Sequence, residues 1–409
     1  MKQCRILIVS QYYVPDITAP AFRIKDMFDA FNEKVDVELV TTYPHKVKST
    51  EERIDIEPSN IHRIRIPIVK KKGLLAYLNQ YFGFVFKSMI FCMFHFKRNQ
   101  FDYVLISSPP LFIGITGLIL SKWFRSRFIL DIRDIWPDSA VAAGMLRQSS
   151  WMYRLSHLLE KTLYRKASYI TCVSKPMKDY IKKYVPQEKV QVLYNGVSDS
   201  DLDFIQNVVD HQQFNEDIHL VYTGNIGIVQ GLDILIYAVK ELSTRQINGF
   251  RVTIVGDGIE RKKLMNLSEQ LNVQHLITFT GPVVKSHALE YLNNADGLFL
   301  HLIKSETLAK TIPSKLFDYL LMNKPMIYGI QGEGRDILKR LDCGVEFHSG
   351  DVDNLVQSML DFIDNIEKYR NNSSGNRNFV VENFHRKHQF TSLADKLINE
   401  AKKVKEELK

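Results

Sequence analysis

The chain has 409 residues, 45% of them apolar and 24% charged: too long for one ordinary core, and too balanced for a disordered or fibrous protein. A formal net charge of +8 favours anionic partners such as phosphorylated ligands, anionic lipid or nucleic acid. Cys4, Cys92, Cys172 and Cys343 form no CxxC pair, which disfavours zinc and disulfides and suits reduced, buried residues of a cytosolic protein.

In chain order, Lys2 and Arg5 precede the apolar run ILIV. That run is too short for a signal-peptide core and reads as a buried first strand, residues 5–13. A helix over Ala21–Phe31 and a strand over Val35–Thr42 follow. Further apolar strands are expected at Phe101–Ser107, Arg127–Ile132 and Tyr169–Val173. The polar stretch Ser198–Asp217 reads as a linker. The rhythm restarts with strands at His219–Thr223, Arg251–Val255, Leu276–Thr280 and Gly297–Leu302, and a helix near Leu232–Leu242. Alternating strands and helices predict two α/β halves with parallel sheets, residues 1–200 and 216–385, and a final helix over 386–409.

Residues 74–96 are unusually apolar, with Lys70–Lys72 before them and Lys97 and Arg98 after. Asn79, Gly83 and Lys87 recur every four residues, a narrow polar stripe on a helix. These interruptions disfavour a spanning helix. A helix lying in the interface of an anionic membrane fits, with Leu111–Trp123 extending the surface; a large core helix is the plainer alternative.

Four segments carry candidate chemistry. In KTIPSKLFDYLLMNKP, Lys310–Pro325, Pro313 suits a first helical turn and the helix is expected over Ser314–Met322. Free N–H groups there, with Lys315, would seat a phosphate, and Asp318 lies on the same face within reach of a ribose. In VYTGNIGIVQGLDIL, Val221–Leu235, a strand enters Gly224, Gly227 and Gly231, which allow close backbone approach to a phosphate. The spacing is not GxGxxG, which disfavours a nicotinamide dehydrogenase. In LDIRDIWPDSA, Leu130–Ala140, charges follow an apolar strand, where open α/β sheets bind ligands. Arg133 and Trp136 become candidate acceptor contacts, and Asp134 a candidate base. The loop segment Ser10–Ile24 adds Asp16 and Arg23 as substrate contacts. Each segment also has a plain structural reading: a capped helix, a tight turn, an Arg–Asp cluster or a connecting loop.

Together these segments resemble retaining glycosyltransferases of the GT-B fold, glycosyltransferase family 4, and in particular the bacterial transferases of O-antigen, capsule and exopolysaccharide assembly, including the L-fucosamine and fucosyl group. The resemblance rests on YYVPDITAPAFRI, SSPPLFIGITGL, LDIRDIWPDSA, TGNIGIVQGLD with VGDG (Val255–Gly258), and IPSKLFDYLLMNKP, in order along nearly the whole chain. It implies two Rossmann-like domains facing a central cleft, with the last helix returning to the first. It further implies a nucleotide diphosphate sugar donor, with a UDP-linked deoxy or N-acetylated sugar as our reading. The donor would be bound by Gly224, Asn225, Gly227, Gln230, Gly231, Ile312, Pro313, Ser314, Lys315 and Asp318. Lys315 would stabilise the leaving diphosphate. The apolar helix motivates a polyprenyl-diphosphate-linked glycan acceptor and a peripheral place on the inner face of the plasma membrane.

Three departures stand out. The family's E-x7-E pair appears as Lys310 and Asp318, leaving an acidic donor contact to another group such as Glu306. Its strand histidine appears as Arg133, and its basic pair as Asn225 and Gln230. No acidic cluster points to a metal, and none is expected. Dispersed basic residues disfavour nucleic acid. A nucleotide-sugar epimerase of the same fold and a non-catalytic, membrane-docked assembly subunit are the competing readings.

Overall fold

The computed structural model describes residues 4–44, 58–66, 74–207, 217–247 and 249–407. The chain divides into two compact units. The first combines Met1–Val141, Met145–Asn195 and Arg386–Lys409, and the second is built on Gly196–His385.

The elements of the first unit are β1 (Arg5–Val9), α1 (Ala19–Lys34), β2 (Asp36–Thr42), β3 (Ile61–Ile64), α2 (Leu74–His95), β4 (Tyr103–Ser108), α3 (Ile113–Phe124), β5 (Arg127–Ile132), α4 (Asp138–Ala142), α5 (Trp151–Lys166), β6 (Tyr169–Cys172), α6 (Lys175–Ile181) and β7 (Val190–Val192). They form a seven-stranded sheet in the order β3-β2-β1-β4-β5-β6-β7, with every neighbouring pair parallel. β1 and β4 are buried over nearly their whole length, as a sheet covered on both faces requires. α1 starts where Thr18 accepts the Ala21 N–H and Pro20 occupies the first turn. The C-terminal helix Arg386–Glu407 packs against α1, burying Phe390, Leu393, Ala394 and Leu397. Strand order reverses between β1 and β4, so the loops after these two strands flank the switch point.

The second unit continues with α7 (Asp199–Asn207), β8 (Ile218–Thr223), α8 (Asp233–Thr244), β9 (Phe250–Val255), α9 (Arg261–Gln270), β10 (Ile277–Gly281), α10 (Lys285–Asn293), β11 (Gly297–His301), α11 (Lys315–Leu321), β12 (Met326–Gly329), α12 (Glu333–Leu341), β13 (Gly344–Glu346), α13 (Val352–Asp364), α14 (Ile366–Ser373) and α15 (Asn376–Phe384). Its six-stranded parallel sheet runs β10-β9-β8-β11-β12-β13. The switch point lies between β8 and β11, placing the loop after β8 beside the loop after β11.

Several expectations change. The first strand ends at Val9, so Ser10–Tyr13 is loop. The expected linker is partly helical, since Asp199–Asn207 forms α7; residues 208–216 lie outside the described set. Residues 74–95 do form one helix. Lys70–Lys72 and the Asn79 side chain lie outside the described residues. Among the described residues no helix is long and apolar enough to cross a membrane. All four cysteines are buried and free.

Candidate functional site

In the second unit, the loops after β8, β9 and β11 are knitted together by their backbones. Gly224 N–H donates to Val255 O at 2.9 Å, Ile226 N–H to Asp257 O at 2.9 Å, and Ile303 N–H to Val229 O at 2.9 Å. This fit needs glycine at two positions. A Cβ on Gly256 (φ +136°) would stand 1.9 Å from Gly224 O, and one on Gly258 would stand 2.1 Å from Ile226 O. The VGDG motif is thus a backbone seat for the glycine loop.

Lys315 opens α11 and turns onto that loop. Its ammonium lies 3.7 Å from the Tyr222 ring centroid and donates to the Tyr222 hydroxyl. That hydroxyl donates to Asn225 O at 2.6 Å. A Cβ on Gly224 would come within 3.0 Å of Lys315 Nζ, so glycine at 224 leaves the lysine its place. Burial pushes the Lys315 amine down to about 7, against the pull of Asp318. An ammonium held where its charge is disfavoured gains from any anion that reaches it.

The remaining loop contacts are polar and internal. Gln230 Oε1 accepts from Gly227 N–H at 3.0 Å and from the Asn225 amide at 3.3 Å. The pair in the place of two basic residues therefore shapes the loop. His301, at the end of β11, is buried. Its Nδ1–H donates to Gln230 O at 2.8 Å and Gly231 O at 3.1 Å, and burial holds its pKa below the usual range. Tyr319 ties α11 to β8 by accepting the Thr223 N–H at 2.9 Å. Asp318 faces Lys285 at 3.7 Å, and Lys285 also pairs with the buried Asp201.

Two expectations around this site change. α11 begins at Lys315 and ends at Leu321, shorter than expected. Ile312 is buried, so only its backbone is available to a ligand. Pro313 is partly exposed beside it. Tyr222, His301, Tyr319, Lys285 and Asp201 carry no sequence signal for this site: the first three are lone polar residues in apolar elements, and the last two look like ordinary surface charges.

In the first unit, Asp131 is the hub at the carboxyl end of β5. It is fully buried and accepts from Arg23 Nη2 at 2.8 Å and Nε at 3.3 Å, Thr171 Oγ1 at 2.7 Å and Ser107 Oγ at 2.9 Å. Arg23 is 1% exposed, and its third nitrogen donates to Tyr194 O at 3.2 Å. Burial raises the Asp131 pKa, but the charges of Arg23 and Arg133 and the hydrogen bonds of Arg23 and Thr171 together hold the carboxyl below its usual range. Arg23 is therefore a structural counter-ion, and its expected role as a substrate contact is corrected. Asp16 is also buried, in the turn before α1, away from the exposed position expected of a contact residue.

Arg133 and Asp134 follow β5 and remain partly exposed. Arg133 Nη2 donates to Pro109 O at 2.8 Å, while its buried Nε has no hydrogen-bond partner. Burial, with Arg23 nearby, lowers its pKa to about 10. Burial pushes Asp134 up to about 6, with Ser139 and Arg133 pulling the other way. Trp136 packs edge-on to Phe112, ring centroids 6.0 Å apart. Among the described residues no group of three or more His, Cys, Asp or Glu is placed to hold a metal.

Comparison with known proteins gives the class. Residues 19–196 match the model of the glycosyl transferase 4-like domain, and residues 203–379 match glycosyl transferases group 1. The chain belongs to the glycosyltransferases that carry this pair of domains in the GT-B fold. It is 20% identical, over 98% of its length and 100% of the relative's, to an uncharacterized glycosyltransferase of Methanocaldococcus jannaschii. Among solved structures, HepE of Anabaena in complex with UDP and glucose superimposes with a TM-score of 0.70 at 16% identity, covering 96% of this chain and 99% of that one. WaaG, a glycosyltransferase involved in lipopolysaccharide biosynthesis, gives 0.66 at 13% identity, covering 96% and 99%.

Proposed function

We propose that this glycosyltransferase moves a sugar from a UDP-linked donor to a polyprenyl-diphosphate-linked glycan of a surface polysaccharide, with retention, while resting on the inner face of the plasma membrane. The observation that carries the donor half is Lys315, an ammonium depressed by burial and fitted against Gly224 at the switch point of the second sheet. The diphosphate would lie against that ammonium and the amides of the Gly224–Gly231 loop, with the ribose toward Asp318. The UDP seen with HepE supports the choice of nucleotide, and the role of WaaG supports the polysaccharide setting.

In the reaction the bond between the anomeric carbon and the diphosphate oxygen breaks, and its electron pair stays on the diphosphate. Lys315 stabilises that charge as it develops. The acceptor hydroxyl bonds to the same face of the sugar. Its proton passes to a base, which we assign to Asp134, raised to about 6 and so near the range where a carboxylate can accept a proton at neutral pH. Arg133 and Trp136 remain our candidates for holding the acceptor.

Thermal melting with UDP, GDP, ADP and NAD tests this reading. UDP at a hundred times its Kd should add about 2.7 kcal/mol of stability, with a matching rise in melting temperature. A rise with GDP alone would remove the UDP assignment, and a rise with NAD would contradict the function.

A further inference from the structure

We infer that helices α2, α3 and α5 form one docking platform for an anionic phospholipid surface, with α5 as a second footing beside α2. The inference rests on the reading of the chain as a peripheral enzyme with a lipid-linked acceptor.

The three helices form one layer. Thr116 on α3 donates to Val85 O on α2 at 3.1 Å, and Phe82 packs on Phe112 with ring centroids 4.8 Å apart. Gly114 on α3 lets Leu163 of α5 approach so closely that a Cβ would stand 2.4 Å from it. The inner sides of these helices join one core cluster with the sheet.

Their outer sides are apolar where water would favour polar groups. On α2, Phe84, Val85, Ser88 and Cys92 face inward, while Phe86, Ile90 and Phe94 form an outward stripe at four-residue spacing, with Phe94 87% exposed. α3 contributes Ile119; its other apolar side chains are mainly core, which narrows the share expected of Leu111–Trp123. α5 departs from an ordinary surface helix in what it leaves outside. It buries Ser156 and Glu160 beside Leu163 and Tyr164, and exposes Trp151, Leu155 and Leu158, with Trp151 72% exposed. The buried Glu160 is held by Tyr164 at 2.7 Å, His157 at 2.8 Å and Tyr180 at 3.3 Å. A helix that buries a carboxylic acid while leaving three large apolar side chains outside is built for a non-aqueous neighbour.

Charge selects the neighbour. α2 and α3 contain no Asp or Glu, and the one acid of α5 is the buried Glu160. Lys87, Lys122, Arg154, Arg165 and Lys166 on these helices are exposed, as are Lys97 and Arg98 just beyond α2. Apolar side chains rimmed by cations, with no exposed carboxylate on the three helices, match an anionic interface, where each basic residue near the surface adds to binding.

The test is flotation of the full chain with phosphatidylcholine vesicles and with mixed phosphatidylcholine–phosphatidylglycerol vesicles. Wild type should float with the mixed vesicles and much less with the neutral ones. The triple variant Trp151→Ser, Leu155→Ser, Leu158→Ser should still melt cooperatively and lose vesicle affinity by about tenfold or more. Phe86→Ser, Ile90→Ser, Phe94→Ser should behave alike. If the α5 variant floats like wild type while the α2 variant does not, α5 is no footing, although the peripheral reading stands. A wild-type chain that fails to float overturns both. A wild-type oligomer that the α5 variant dissociates, without flotation, would assign the face to a second copy and overturn the inference.

Discussion

Replacing Lys315 by alanine should lower kcat/KM for sugar transfer by roughly 10²–10³-fold, the loss typical of removing one preorganised group that meets developing charge. Both kinetic constants should suffer, because the ammonium would meet the diphosphate in the ground state and more strongly as the bond breaks. Folding should survive. The ammonium is destabilised where it sits, so its removal relieves a cost while leaving Tyr222 bonded to Asn225 O. The linkage sign agrees. The folded amine titrates near 7, whereas an unfolded lysine titrates at about 10.4. The unfolded chain therefore binds the extra proton, and without ligand stability should rise with pH across that window. Steady-state kinetics on a folded Lys315→Ala protein checks the claim, and activity within about threefold of wild type would refute the role.

The second large effect is structural. Arg23→Ala would leave Asp131 buried, with its four side-chain donors reduced to two hydroxyls and its hydrogen-bonded counter-ion gone. Breaking a buried pair from one side costs about 3–5 kcal/mol. For a unit of this size that corresponds to a melting temperature lower by roughly 6–20 °C. Calorimetric melting of the variant tests it. A variant within about 0.5 kcal/mol of wild type would mean that Arg23 is dispensable to the fold and would return it to the list of contact residues.

That reversal for Arg23 shows where sequence reading succeeds and fails. Long apolar runs such as Tyr103–Ser108 and Ile218–Thr223 announce themselves, because parallel strands are buried on both faces. The short strands Ile61–Ile64, Val190–Val192 and Gly344–Glu346 carry only three or four residues and little period. Arg23 looks solvent-facing within a helix start, and only the fold brings it to Asp131, 108 positions away. The glycines of the β8 loop are visible as spacing. Their reason is not: Gly256 exists for Gly224 O, and Gly224 leaves room for Lys315. His301 is likewise hidden inside an apolar strand, although it holds the carbonyls at 230 and 231. The apolar outer face of α5 is legible in principle, since Trp151, Leu155 and Leu158 share a stripe, but which stripe faces the sheet is settled by packing.

If Lys315 receives the donor diphosphate, UDP binding must be coupled to a proton. The free amine, near 7, is mostly neutral at pH 8, and a bound diphosphate should raise its pKa well above that. Titration calorimetry with UDP at pH 8, in two buffers of different ionisation heat, should show net proton uptake on UDP binding, and affinity should fall as the pH rises above that range. In Lys315→Met the uptake should vanish. UDP binding without proton uptake, or with the same uptake in the methionine variant, would mean that the diphosphate does not lie against Lys315.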